Sequence, residues 1–164
     1  MEKIIYTTRH LLLTLVLFVS ACASVPTAQK TDDESAKKFI PSADRASLYI
    51  YRDEFFGSAL ASTVSINGKT IGQSLGKSFF LIKLVPGTYS ITAYPGASCE
   101  LTIDVHQGKN YFVWQESKFA INLGMCQLHA VDENTGQRGV LSGELLSSPS
   151  GGIEIQPLPK TNGH

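Results

Sequence analysis

Three cysteines and four histidines are the residues of this chain with the most recognisable chemistry. Cys126 and His129 form a C-x-x-H, and Cys99 with His106 would complete a four-ligand set of the kind that binds zinc. Side chains alternate across a β-strand, so residues three apart point to opposite faces. With Cys126 inward, His129 points outward, and His106 falls opposite Cys99 in the same way. The spacing therefore argues against a metal site, and no cofactor is expected. The same alternation puts Cys99 in phase with Leu101, Ile103 and Val105, and Cys126 in phase with Leu128 and Ala130. Both cysteines are expected to face the core. An even pair in an exported domain points to a disulfide; the alternative is two buried thiols. Closing that loop of about 28 residues would stabilise the fold by roughly 3–4 kcal/mol.

Acid–base and nucleophilic chemistry have less to work with. Asp53-Glu54 and Asp132-Glu133 are adjacent carboxylates, but strand neighbours splay apart, and both pairs fall at strand ends as solvated charge. G-x-S-x-G, H-E-x-x-H and P-loop motifs are absent from the sequence. No catalytic residue is assigned, and the chain is not expected to be an enzyme. The alternative is an enzyme acting on an envelope substrate through a site assembled from loops. The formal net charge is +0, so there is no electrostatic footprint for nucleic acid. Without residues 1–21, which hold Lys3, Arg9 and Glu2, the 14 basic and 14 acidic residues become 12 and 13.

Location is written at the N-terminus. Lys3 and Arg9 precede the apolar run "LLLTLVLFV" (11–19), which ends in Ser20, Ala21 and Cys22. A basic start, a short apolar core and small residues describe a secretory signal. A membrane-spanning helix needs about 20 apolar residues, and this run is too short. "VSAC", Val19 to Cys22, resembles the bacterial lipobox. That resemblance implies diacylation of the Cys22 thiol, cleavage just before it and acylation of the new amino group, with palmitate among the chains. Two acyl chains already anchor stably, so three would hold the protein on the membrane permanently. Ala23 and Ser24 lack the Asp that, in enterobacterial lipoproteins, signals retention. The expected location is the bacterial cell envelope, in the outer membrane and facing the periplasm.

The elements that position these residues are short. A hydrophobic share of 43% against 17% charged residues suits one domain with a core. Residues 1–21 read as the signal, 22–46 as the lipidated cysteine with a flexible linker, 47–146 as a β-sandwich domain and 147–164 as a disordered tail, or at most one added edge strand at Ile153–Ile155. "SLYIYRD" (47–53) reads as a strand, and "STVSINGKTIGQ" (62–73) as a hairpin turned at Asn67-Gly68. "KSFFLIKLVPGTYSITAYPG" (77–96) supplies two strands around Pro86-Gly87. "CELTIDVHQGKNYFVWQES" (99–117) supplies two more around 107–110, and "CQLHAVDE" (126–133) closes the set. Regularly spaced short strands predict an all-β fold, a small antiparallel β-sandwich or open barrel.

"LYIYRD", "VSINGKTIG", "VPGTYSITA" and "IDVHQGKNYFV" together resemble, in that order, the small bacterial lipoproteins that carry domain of unknown function 2846. The resemblance spans roughly residues 46–135 and implies a sandwich like those of carboxypeptidase-regulatory and PEGA domains, with no catalytic residues. Phe112 stands where a second Tyr is usual. One feature remains for binding. In "SFFLIKL", Phe80, Ile82 and Leu84 can face the core while Phe79 and Leu81 face away, and Phe55-Phe56 sit in a loop. Phe55, Phe56 and Phe79 are candidate contacts for a protein or envelope-polymer partner, unless another segment such as the tail covers that face.

Overall fold

The run Ala46–Arg52, ASLYIYR, is buried at every position. A strand with no solvent face needs a layer on each side. In the computed structural model, which describes residues 25–55, 60–94, 98–118, 125–148 and 154–159, this strand, β1, is the middle of such a stack. It is followed by β2 (Ser62–Ile66), β3 (Lys69–Ser74), β4 (Ser78–Leu84) and β5 (Gly87–Tyr94). Then come β6 (Cys99–Val105), β7 (Asn110–Lys118), β8 (Met125–Val131) and β9 (Glu144–Leu145). The described helices are α1 (Lys30–Ala36) and α2 (Glu133–Leu141).

Five strands form one sheet in the order β8-β7-β1-β4-β9, and four form a second in the order β3-β2-β5-β6. The sheets pack face to face as a sandwich that does not close into a barrel. Leu48, Ile50, Phe80 and Val113 of the first sheet meet Val64, Ile66, Tyr89 and Ile91 of the second in the main core. The outer face of the first sheet presents Tyr49, Tyr51, Phe79 and Phe112, which pack with Ala36, Phe39, Val140 and Leu145 in a second core.

Asn67 and Gly68, at φ 49° and 74°, make the expected tight turn between β2 and β3. The pairing of the first sheet differs from expectation. β1 pairs with β7, and β4 with β9, in parallel, so that sheet is mixed rather than antiparallel. Parallel neighbours need long crossovers, and the chain makes them by passing through the second sheet. The turns at Pro86-Gly87 and at 107–110 carry it between sheets instead of closing hairpins, because β4 and β7 belong to the first sheet and β5 and β6 to the second.

The segment 22–46, expected to be a flexible linker, is built into the body over its described part. Thr27 bridges Leu146, with Ala28 N–H donating to the Leu145 carbonyl and Ser147 N–H to that of Pro26, both at 2.9 Å. Asp33 accepts from Leu145 N–H at 2.8 Å, and the Tyr49 hydroxyl donates to the Ala36 carbonyl at 3.0 Å. These attachments run through backbone groups, which composition does not reveal. The tail, expected to be disordered from residue 147, is packed at 154–159. Ile155 is buried, Leu158 N–H donates to the Thr88 carbonyl at 2.8 Å, and Asn67 donates to that of Gln156 at 2.7 Å. Phe79 is 0% exposed, so it is a core residue and not a partner contact. Its cover is the layer of α1 and α2, with Leu145 of β9 beside it in the sheet, not the tail.

Candidate functional site

Cys99 and Cys126 form a disulfide, Cα atoms 5.4 Å apart, that ties β6 of the second sheet to β8 of the first. Both cysteines pack on the main core with Leu101, Ile103 and Leu128, on the face that strand alternation assigns them. His129 turns outward, its Nε2 3.0 Å from Glu116 Oε2 and its ring centroid 5.2 Å from that of Trp114. His106 meets the Tyr111 hydroxyl at 3.3 Å through Nδ1. The C-x-x-H is thus split between two faces. Among the described residues, no group of three His, Cys, Asp or Glu is placed to hold a metal ion.

The adjacent carboxylates are equally divided. Asp53 pairs with Lys77 Nζ and accepts from Ser142 Oγ at 2.5 Å. Burial works to raise the Asp53 carboxyl, but the bonds from Lys77 and Ser142 outweigh it and hold its pKa below the usual value. Glu54 points the other way, accepting from Ser117 N–H at 2.7 Å and lying 3.5 Å from Arg52 Nε. Asp132 caps α2, accepting from Thr135 N–H at 3.0 Å. None of these carboxylates shares a proton with a second one.

Sequence reading missed a polar cluster inside one end of the sandwich. Arg52 is 1% exposed, and its Nη1 donates to the carbonyls of Leu60 at 2.8 Å and Ser74 at 3.2 Å. Gln115, fully buried, donates to Ser62 Oγ at 2.6 Å and accepts from Ser74 Oγ at 2.8 Å. The cluster pins Leu60 and the start of β2 to the ends of β1 and β3 and to the middle of β7. Nε and Nη2 of Arg52, Oε2 of Glu54 and Oγ of Ser117 are buried without a hydrogen-bond partner. Burial depresses the Arg52 guanidinium pKa, opposed by Glu54. The signal was present: Arg52 is in phase with Leu48 and Ile50, and Gln115 with Val113, so alternation turns both inward.

A cleft of about 610 Å³ runs between α1 and the β4–β9 side of the first sheet, lined by Gln29, Asp32, Ile40, Tyr49, Leu81 and Lys83 among others. Lys83 Nζ donates to Ser47 Oγ at 2.7 Å, and burial lowers the lysine pKa against the pull of Asp44. A serine beside such a lysine would suit acyl transfer. Ser47 is 0% exposed, however, so no substrate carbonyl can reach its Oγ. The cleft can bind; this pair cannot turn a substrate over in the geometry seen.

Of the three phenylalanines, Phe55 is 75% exposed and Phe79 is buried. Phe56 and Cys22 lie outside the described residues. Leu60, Tyr94 and Leu141 are exposed at the same end as Phe55.

Residues 42–125 match the family described as Protein of unknown function (DUF2846). An uncharacterized protein of Haemophilus influenzae is 37% identical over 128 residues, covering 77% of this chain and 76% of the relative. The chain belongs to the DUF2846 family. The DUF2846 match begins after α1 and stops at the first residue of β8, so the layer that covers Phe79 lies largely outside it. Within the match, the Tyr-Arg pair divides its labour: Tyr51 faces α2, and Arg52 holds the buried polar cluster.

Proposed function

We propose that this DUF2846 protein is a lipid-anchored component of the bacterial cell envelope, held in the outer membrane and facing the periplasm. Its β-sandwich is a non-catalytic binding or structural module. The observation that carries this reading is the Cys99–Cys126 disulfide between the two sheets, a bond that persists in oxidising compartments and is rare in the cytosol. The "VSAC" motif at Cys22 supports the anchor. The engaged state of Asp53, Glu54, Asp132 and the two cysteines supports a non-catalytic role, and the neutral charge speaks for a protein or polymer partner over nucleic acid. Phe55, Leu60 and Tyr94, exposed at one end of the sandwich, supply the apolar contact area.

The test is lipid labelling in cells. The wild-type chain is expected to incorporate labelled palmitate, and Cys22→Ser to remain an unlabelled precursor. Label on the Cys22→Ser variant would end the anchor reading. Crosslinking in the same cells tests the module: Phe55→Ser is expected to lose captured partners while the soluble domain stays folded. The second reading, an enzyme acting on an envelope substrate, has the cleft beside Lys83 in its favour, and turnover abolished by Lys83→Met would establish it.

A further inference from the structure

The chain joins the body close to the residue read as its anchor. Val25 packs against the main core, only three residues after Cys22. Three residues span at most about 11 Å. The direction of this strand is fixed by its neighbours. β9 runs parallel to β4, with Ser78 opposite Glu144 and Phe79 opposite Leu145. The Thr27–Leu146 bridge is antiparallel, so the chain read backward from Ala28 to Val25 runs the way β4 runs, from Ser78 toward Leu84. Leu84 lies opposite Ala46, and Ser47 opposite Asn110. Val25 therefore leads toward that end, with Cys22 within about 11 Å of Val25 by chain reach. The end with Phe55 and Leu141 lies about 20 Å from Leu84 along the six steps of β4, at about 3.3 Å each.

The surface at this end has a character of its own. Asn110 donates to the Phe39 carbonyl at 2.6 Å, and Gly108 N–H donates to that of Arg45 at 3.0 Å, so the segment 38–46 and the turn 107–110 form one rim. Ile40 projects from it, 69% exposed. Lys38, Lys83 and Lys109 are exposed at this end and Arg45 partly so, with Asp32, Asp44 and Asp104 among them. An exposed apolar side chain with lysines beside it suits the interface of a bilayer. We infer that this end of the sandwich, with Ile40 at its tip, lies directly on the phospholipid surface and is not held off it by a tether. The inference rests on lipidation at Cys22. It directs the opposite end, with Phe55, Leu60 and Tyr94, into the periplasm.

The test uses the full lipidated chain in vesicles of phosphatidylethanolamine and phosphatidylglycerol, with a photoreactive benzophenone amino acid replacing Ile40 or, at the far end, Leu141. Both positions are exposed, so neither replacement disturbs a core. The expected result is phospholipid adduct several-fold greater at position 40 than at 141. Equal or reversed labelling, on a chain whose mass carries the acyl groups at Cys22, overturns the orientation and leaves the anchor standing. A chain whose mass lacks those groups overturns the anchor and the orientation with it.

Discussion

At the scale of single residues, Phe79 and Asp53 carry the sharpest consequences. Phe79 packs with Tyr49, its ring centroid 6.4 Å away, and Lys37 Nζ stands 5.7 Å above its ring. Removing a buried Phe costs about 3–5 kcal/mol. Phe79→Ser is expected to lower the stability of the domain by that order in urea unfolding, with crosslinking in cells reduced only as folded protein is lost. Asp53 sets a pH dependence. Its carboxyl titrates lower in the fold than in the unfolded chain, so its contribution is complete above the unfolded carboxyl range, about 3.9, and disappears as pH falls through the lower folded value. Asp53→Asn is expected to shrink the loss of Tm between about pH 7 and about pH 3, because the variant has no charge to neutralise.

At the scale of elements, α2 holds on by what it lacks. A Cβ on Gly136 would come within 2.2 Å of the Phe112 ring, and one on Gly139 within 2.0 Å of the Tyr51 ring. Gly139→Ala adds about 1 kcal/mol of helix propensity, but overpacking costs about 1–3 kcal/mol or more, and Tyr51 is too enclosed to yield. The variant is expected to melt lower than wild type, while Asn134→Ala on the exposed side of the same helix leaves Tm unchanged or slightly higher. The same feature explains what the sequence did not disclose. The strands were legible because Leu48, Ile50 and Arg52 alternate with Tyr49 and Tyr51, and the cysteine pair because Cys99 and Cys126 fall in phase with core residues. α2 meets the sheet through two glycines and Val140, so it carries no apolar stripe to read. α1 offers only Ala36 to the second core, and the cover over Phe79 was invisible for that reason. The sheet to which each strand belongs was equally hidden, since a two-residue turn looks the same whether it closes a hairpin or crosses between layers.

At the scale of the whole molecule, two kinds of fastening close the sandwich. One flank has the disulfide between β6 and β8; elsewhere the chain segments 25–28 and 154–159 are laid onto the body by hydrogen bonds. Replacing Cys99 and Cys126 with Ser is expected to cost roughly 3–4 kcal/mol, the constraint of a loop closed across a sequence separation of 27. Native protein is expected to resist alkylation and to have a mass two hydrogens below its reduced form. Two freely alkylated thiols in native material would contradict the bond.

The Thr27–Leu146 bridge also decides how the molecule bears force. If Cys22 is fixed in the membrane and a partner pulls on the far end, tension passes along the axis of residues 25–28. Ala28 N–H to Leu145, Ser147 N–H to Pro26, and the Ser147 hydroxyl to the Thr27 carbonyl then lie across the line of pull and share the load together. Strands loaded this way slide only when several bonds yield at once; strands peeled from one end lose them singly. The junction is oriented to hold under tension.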